Sequence, residues 1–186
     1  HTLQLLRLVQ SANTDSSFNL ISSWTLSIRG HYTRLILDKS HVKSLYDVLF
    51  LHELPFITQT NAFVVHYRLG DLLELEEKQP INVGRVEGVL EKLKAYSYNF
   101  VLLSDSAEEE SAKFLKNSSI IKYSKPSNYD PHKTLKMCID AERFVGTGGK
   151  ISLWAAIFRN FIHEKESFLP TELNWSSRNG LKANWY

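Results

Sequence analysis

Three short segments hold residues whose types and spacing suit the binding of an anion. The first is Val64-Val65-His66-Tyr67-Arg68-Leu69-Gly70-Asp71. It sets a titratable ring, a guanidinium, a flexible turn and a carboxylate within a few positions. The planar fork of Arg68 matches a pair of phosphate oxygens, which a point charge does not. Gly70 lets the chain turn sharply after the apolar run. Asp71 is a candidate to orient Arg68, to cap the following segment or to accept a proton, with Glu74 as a second carboxylate nearby. The competing reading of this spacing is a surface ion pair between Arg68 and Asp71.

The second segment, Val101-Leu102-Leu103-Ser104-Asp105-Ser106, is an apolar run ending in a short acidic loop. Ser104 and Asp105 are placed to touch a ribose or base. Asp105 or Ser106 would equally cap a helix beginning near Ala107, with Glu108–Glu110 complementing its dipole. Capping is the expected main role, and the two are compatible. The third segment runs from Phe144 through Gly146-Thr147-Gly148-Gly149-Lys150-Ile151-Ser152 to Ala156. Here an apolar run passes through a glycine-rich turn into an apolar helix. Bare N–H groups at Gly148 and Gly149, with Thr147, Lys150 and Ser152 as further donors, describe an anion site at a helix start. The spacing is neither a Walker loop nor the dinucleotide fingerprint. Together the three segments describe a diphosphate pocket.

The elements that must position these residues are legible from periodicity. Ala62–Tyr67, Phe100–Leu103, Ile120–Tyr123 and Arg143–Gly146 are short apolar runs expected of buried parallel strands. Between and after them, helical spacing marks Val83, Val86, Leu90 and Leu93, then Ser111, Phe114 and Leu115, then Leu135, Cys138 and Ile139. Ile151–Ile162 is apolar almost all round, as a central helix would be. Alternating strands and helices predict an α/β fold with a Rossmann-like parallel sheet, its three site segments at one mouth. The opening third has less rhythm. Leu3–Val9 suggests a short helix, Arg29-Gly30 a hairpin turn, and Val42, Leu45, Tyr46 and Leu49 one helical face.

Composition narrows the classes. At 186 residues, with 43% hydrophobic and 23% charged, the chain has an ordinary globular make-up. A net charge of +2 with no long basic run argues against nucleic acid as a partner. Cys138 is the single cysteine, so no internal disulfide forms. No metal site is expected, because His31, His41, His52, His66, His132 and His163 lack ligand-type spacing. No run reaches the roughly 20 apolar residues of a membrane span. A chain that opens on His1 and not on methionine is expected to be a piece of a longer protein.

The three segments, in this order, resemble the α-1,2-fucosyltransferases of glycosyltransferase family 11. His66-Tyr67-Arg68-Leu69-Gly70-Asp71 is similar to their His-x-Arg-x-Gly-Asp motif, shared with the α-1,6- and protein O-fucosyltransferases. Leu102-Leu103-Ser104-Asp105-Ser106 resembles their second block. Thr134–Cys138 through Ile151-Ser152-Leu153-Trp154-Ala155-Ala156 resembles their third. The chain departs from the family at Leu69, where a second arginine is common, and in the turn Gly146–Lys150. The resemblance implies the donor lobe of a two-lobed GT-B enzyme, and inverting transfer of fucose from GDP-fucose to a glycan acceptor, without metal or other cofactor. Carried over by position, Arg68 would hold the β-phosphate and assist its departure. His66 and Asp105 would lie at the nucleotide, and Ser152 with the Gly148–Lys150 donors at phosphate. Arg68 and Asp71 are then the candidate catalytic residues, with Ser104 also lining the nucleotide site. The expected domains are an acceptor-side segment at 1–55, the nucleotide-sugar domain at 56–165 and a tail at 166–186 that packs back. The implied setting is bacterial surface-polysaccharide assembly, in the cytoplasm or peripheral to the inner membrane through the parent protein, ahead of the Golgi lumen. The alternatives are a GT-B transferase using another nucleotide sugar, or a nucleotide- or glycan-binding module without turnover.

Overall fold

The computed structural model describes residues 12–13, 28–29, 38–50, 62–73, 75, 79–95, 98–106, 108–115, 130–173 and 181–186. Within these, the side chains of residues 12, 13, 28, 29, 71, 99, 108, 112 and 114 are not described. The expected helix at Leu3–Val9 and strand at Ile120–Tyr123 lie outside these residues. Five strands form one sheet: β3 (Ala62–Tyr67), β4 (Asn99–Ser104), β5 (Arg143–Gly146), β6 (Phe168–Leu169) and β7 (Asn184–Trp185). Their order is β4-β3-β5-β6-β7 and every neighbouring pair is parallel. A separate parallel pair joins β1 (Ala12–Asn13) to β2 (Ile28–Arg29). Arg29, expected in a hairpin turn, is thus a strand residue beside Ile28; Gly30 and residues 31–37 are outside the described residues.

β3 is buried along its whole length, because a strand with neighbours on both sides and helices on both faces has no solvated edge. Its side chains alternate. Val64 joins a core shared with α1 (Lys39–Phe50), α4 (Pro131–Asp140) and α5 (Gly149–His163). Phe63, Val65 and Tyr67 face the opposite core, filled by Val86, Val89 and Leu90 of α2 (Val83–Lys92) and by Leu115, just beyond α3 (Glu108–Phe114). The molecule is therefore a sheet between two helical layers. α1, expected within an N-terminal segment, places Val42 and Phe50 in the same core as α5. The 166–186 tail contributes β6 and β7 to the sheet.

The connections reverse at one point. From β3 the chain passes outward to β4, returns across β3 to lay down β5 on its other side, and then continues to β6 and β7. The crevice between the carboxyl ends of β3 and β5 is the topological switch point, where open parallel sheets bind ligands. At the other end of β5 lies Arg159 of α5, fully buried. Its guanidinium donates to the carbonyls of Cys138, Ile139, Ala141, Glu142 and Glu166, at 2.6 to 3.2 Å. These acceptors include the open carbonyl end of α4. Burial lowers the Arg159 pKa to about 10, so the group remains a cation.

Candidate functional site

The site is built on the last residues of β3 and β5 and the start of α5. In register, His66 stands beside Gly146. Past the strands the pairing continues through Thr147: its N–H donates to His66 O at 3.0 Å, and its hydroxyl donates to the same carbonyl at 3.2 Å. That hydroxyl also accepts the N–H of Arg68 at 2.9 Å. Thr147, expected as a ligand donor, therefore spends its side chain on fixing the main chain that carries Arg68.

α5 begins without a side-chain cap. The start of α2 is closed by Asn82, which accepts Gly84 N–H, and the start of α4 by Asp130, which accepts the N–H groups of His132 and Lys133. At α5 the capping position is Gly148, and no side chain accepts from the helix amides there, nor is there an acidic residue in the first turn. Gly149 follows with φ +75, in the left-handed region. A Cβ on Gly149 would lie 2.7 Å from Arg68 Cδ and 3.2 Å from one of its terminal nitrogens. The absence of that atom lets the Arg68 side chain lie across the helix start. Lys150, exposed in the first turn, adds a second cation where the helix end is already positive.

His66 and Ser152 meet beneath this surface. His66 Nδ1 and Ser152 Oγ are hydrogen-bonded at 2.8 Å, and the residues are 2% and 0% exposed. Ser152 Oγ also accepts the N–H of Gly148 at 3.4 Å, so the hydroxyl bridges the imidazole and the start of α5. Nε2 is buried with no hydrogen-bond partner among the described residues. Burial drives the His66 pKa down to about 4; Asp105 opposes that shift and Arg68 adds to it. The ring is neutral at neutral pH.

Asp105 does something its sequence did not announce. Its Oδ1 accepts the N–H groups of Leu69 and Gly70 at 2.8 and 3.0 Å, joining the β4 loop to the loop that follows β3. Gly70 is required for this approach, since a Cβ there would sit 2.8 Å from the carboxylate. Ser104 is buried and accepts Ser106 N–H at 3.2 Å, so its hydroxyl shapes its own turn. The structure thus brings His66, Arg68, Gly148, Gly149 and Ser152 together at the switch point, with Lys150 at the rim. Asp105 supports the Arg68 loop from β4. Asp71 lies in a short 3-10 turn, Gly70–Leu73, and its side chain is outside what is described, as is Glu74. Leu69, where the resembled family commonly has arginine, is fully buried in the α2-side core.

Two supports escaped the sequence reading. Tyr67 donates its hydroxyl to Ile81 O, and Tyr186 donates its hydroxyl to Gly146 O at 3.1 Å. Neither carries a local signal, because each partner is distant in sequence. Among the described residues no group of three or more His, Cys, Asp or Glu side chains is arranged to hold a metal. Among them, too, no helix is long and apolar enough to cross a membrane. No family model, curated protein or solved structure matches this chain.

Proposed function

We propose that this chain is the donor lobe of an inverting, metal-independent glycosyltransferase that holds a nucleotide sugar by its diphosphate, with GDP-fucose as the donor. The observation that carries the reading is Arg68 laid over Gly149 at the uncapped start of α5, in the crevice between β3 and β5. Helix amides, a guanidinium and Lys150 then converge where charge would develop on a departing diphosphate. In transfer, an acceptor hydroxyl oxygen bonds to the sugar's anomeric carbon as the carbon–oxygen bond to the β-phosphate breaks. The bonding pair goes to that phosphate oxygen, which Arg68 stabilises. The hydroxyl proton goes to a base, for which Asp71 is the candidate. Donors aimed at the product anion favour the transition state over the bound substrate.

The buried Leu69 favours a second reading, a transferase of this architecture with another nucleotide sugar, since one arginine of the resembled pattern is absent. Calorimetric titration with GDP and with UDP, on this chain and on Arg68→Ala, tests both. The expected result is GDP binding weakened at least about tenfold by the substitution, as loss of a bidentate charge-assisted contact implies. Binding of UDP in preference to GDP selects the second reading. A folded chain that binds neither nucleotide overturns the proposal.

A further inference from the structure

Tyr186 lies far in sequence from the phosphate loop, yet its hydroxyl reaches the first carbonyl of that loop, Gly146 O, at 3.1 Å. Val145 is the last β5 residue that pairs with β6, so Gly146 O lies just past that pairing. On the β3 side the same peptide unit is tied by Thr147 N–H to His66 O. The peptide between Gly146 and Thr147 is thereby gripped from both sides. Thr147 in turn accepts Arg68 N–H, so a continuous set of bonds links Tyr186 to the main chain of the phosphate-binding arginine.

Tyr186 is itself firmly held. Its N–H donates to Leu169 O, and its main-chain oxygen accepts Thr171 N–H at 2.8 Å and the Arg85 guanidinium at 2.9 Å. Arg85, in the first turn of α2, also pairs with Glu172 at 2.5 Å and lies 5.9 Å from the Tyr186 ring centre. The ring packs on the α2-side core beside Tyr67 and Phe168. Burial, first, and the neighbouring Tyr67 raise the Tyr186 pKa, so the hydroxyl stays a donor across the working pH range.

We infer that Tyr186 is a positioning residue for the anion site: through its hydroxyl, this residue just past β7 sets the orientation of the β5–α5 turn and so the aim of the Gly149 and Lys150 amides and Arg68. The ligand side of this inference rests on the diphosphate reading above, whereas the geometric side does not.

Tyr186→Phe removes one oxygen and leaves the ring in place. Amide hydrogen exchange on the unliganded chain is the first measurement. Thr147 and Gly148 should exchange severalfold faster in the variant, with the amides of α2 unchanged; equal rates at the turn overturn the inference whether or not any nucleotide binds. GDP titration is the second. Affinity should fall about three- to tenfold, the usual effect of one buried hydrogen bond. Leu181→Ala provides the contrast, because Leu181 is 4% exposed in the core on the α5 side of the sheet, whereas the Tyr186 ring packs on the α2-side core. It should lower thermal stability and leave GDP affinity at the parental value. If Leu181→Ala weakens GDP binding as much as Tyr186→Phe does, the effect is general loosening and the positioning role falls. A parent chain that binds no GDP sinks the diphosphate reading alone, and the exchange data then decide the role of Tyr186.

Discussion

An imidazole sealed between a central strand and the first turn of a helix has little freedom to ionise, and His66 makes that measurable. Its folded pKa, near 4, lies below the ordinary 6.5, with burial as the main cause. Between these two values the unfolded chain binds a proton that the folded chain excludes. The contribution to stability is therefore complete above about pH 6.5 and is lost as pH falls toward about 4, amounting to on the order of 3 kcal/mol. His163, also lowered chiefly by burial, acts in the same direction. Urea unfolding at pH 7.5 and pH 5 should show a clear fall in the parent and a smaller one in His66→Asn. Equal falls in the two chains would show that His66 is not the group responsible. Residue by residue, the sequence put His66, Arg68 and Ser152 at one mouth, and the structure brings them near one another there. It did not reveal that His66 and Ser152 are bonded to each other, since that depends on an ångström-scale approach of two elements.

Among the elements, the loops after β3 and β4 are joined by one carboxylate. Asp105 satisfies two main-chain donors that would otherwise close a partly buried loop unpaired. Asp105→Ala should cost about 2–3 kcal/mol, because both bonds are to a charged acceptor, while Asp105→Asn keeps an acceptor oxygen and should cost less than half of that. Denaturant midpoints at constant m-value measure the difference. Identical midpoints for all three chains would show that the latch contributes nothing. The strands β3 and β5 were legible to the residue, because a strand buried on both faces writes an unbroken apolar run. β6 and β7 were not, since two residues cannot display a period. Nor does periodicity carry strand order, so the reversal at β3 and β5 became visible only in three dimensions. Asp105 or Ser106 read as a helix cap because such residues before a helix usually are one. The two main-chain partners of Asp105 lie more than thirty positions away, where no local signal points.

At the scale of the whole molecule, binding groups and holding groups occupy opposite ends of β5. Past its carboxyl end lie Thr147, the glycines and the start of α5; before its amino end Arg159 gathers five carbonyls from α4, the β5 approach and the segment after α5. Arg159→Met keeps much of the volume but strands those acceptors, and the expected loss is about 2–4 kcal/mol by guanidinium unfolding. A loss below about 1 kcal/mol would mean that the carbonyls find other donors. The signal for Arg159 was in the sequence: an arginine within a largely apolar helix must pair with something once buried. The identity of its partners was not, because carbonyls belong to every residue alike.

That last property has an evolutionary consequence. A cation that recognises only main-chain oxygens makes no demand on the side chains around it. Cys138, Ile139, Ala141, Glu142 and Glu166 can each drift to other types that fit the space without disturbing a single one of these bonds. An architecture secured in this way keeps its anchoring bonds when a neighbouring side chain is exchanged for another that fits the core.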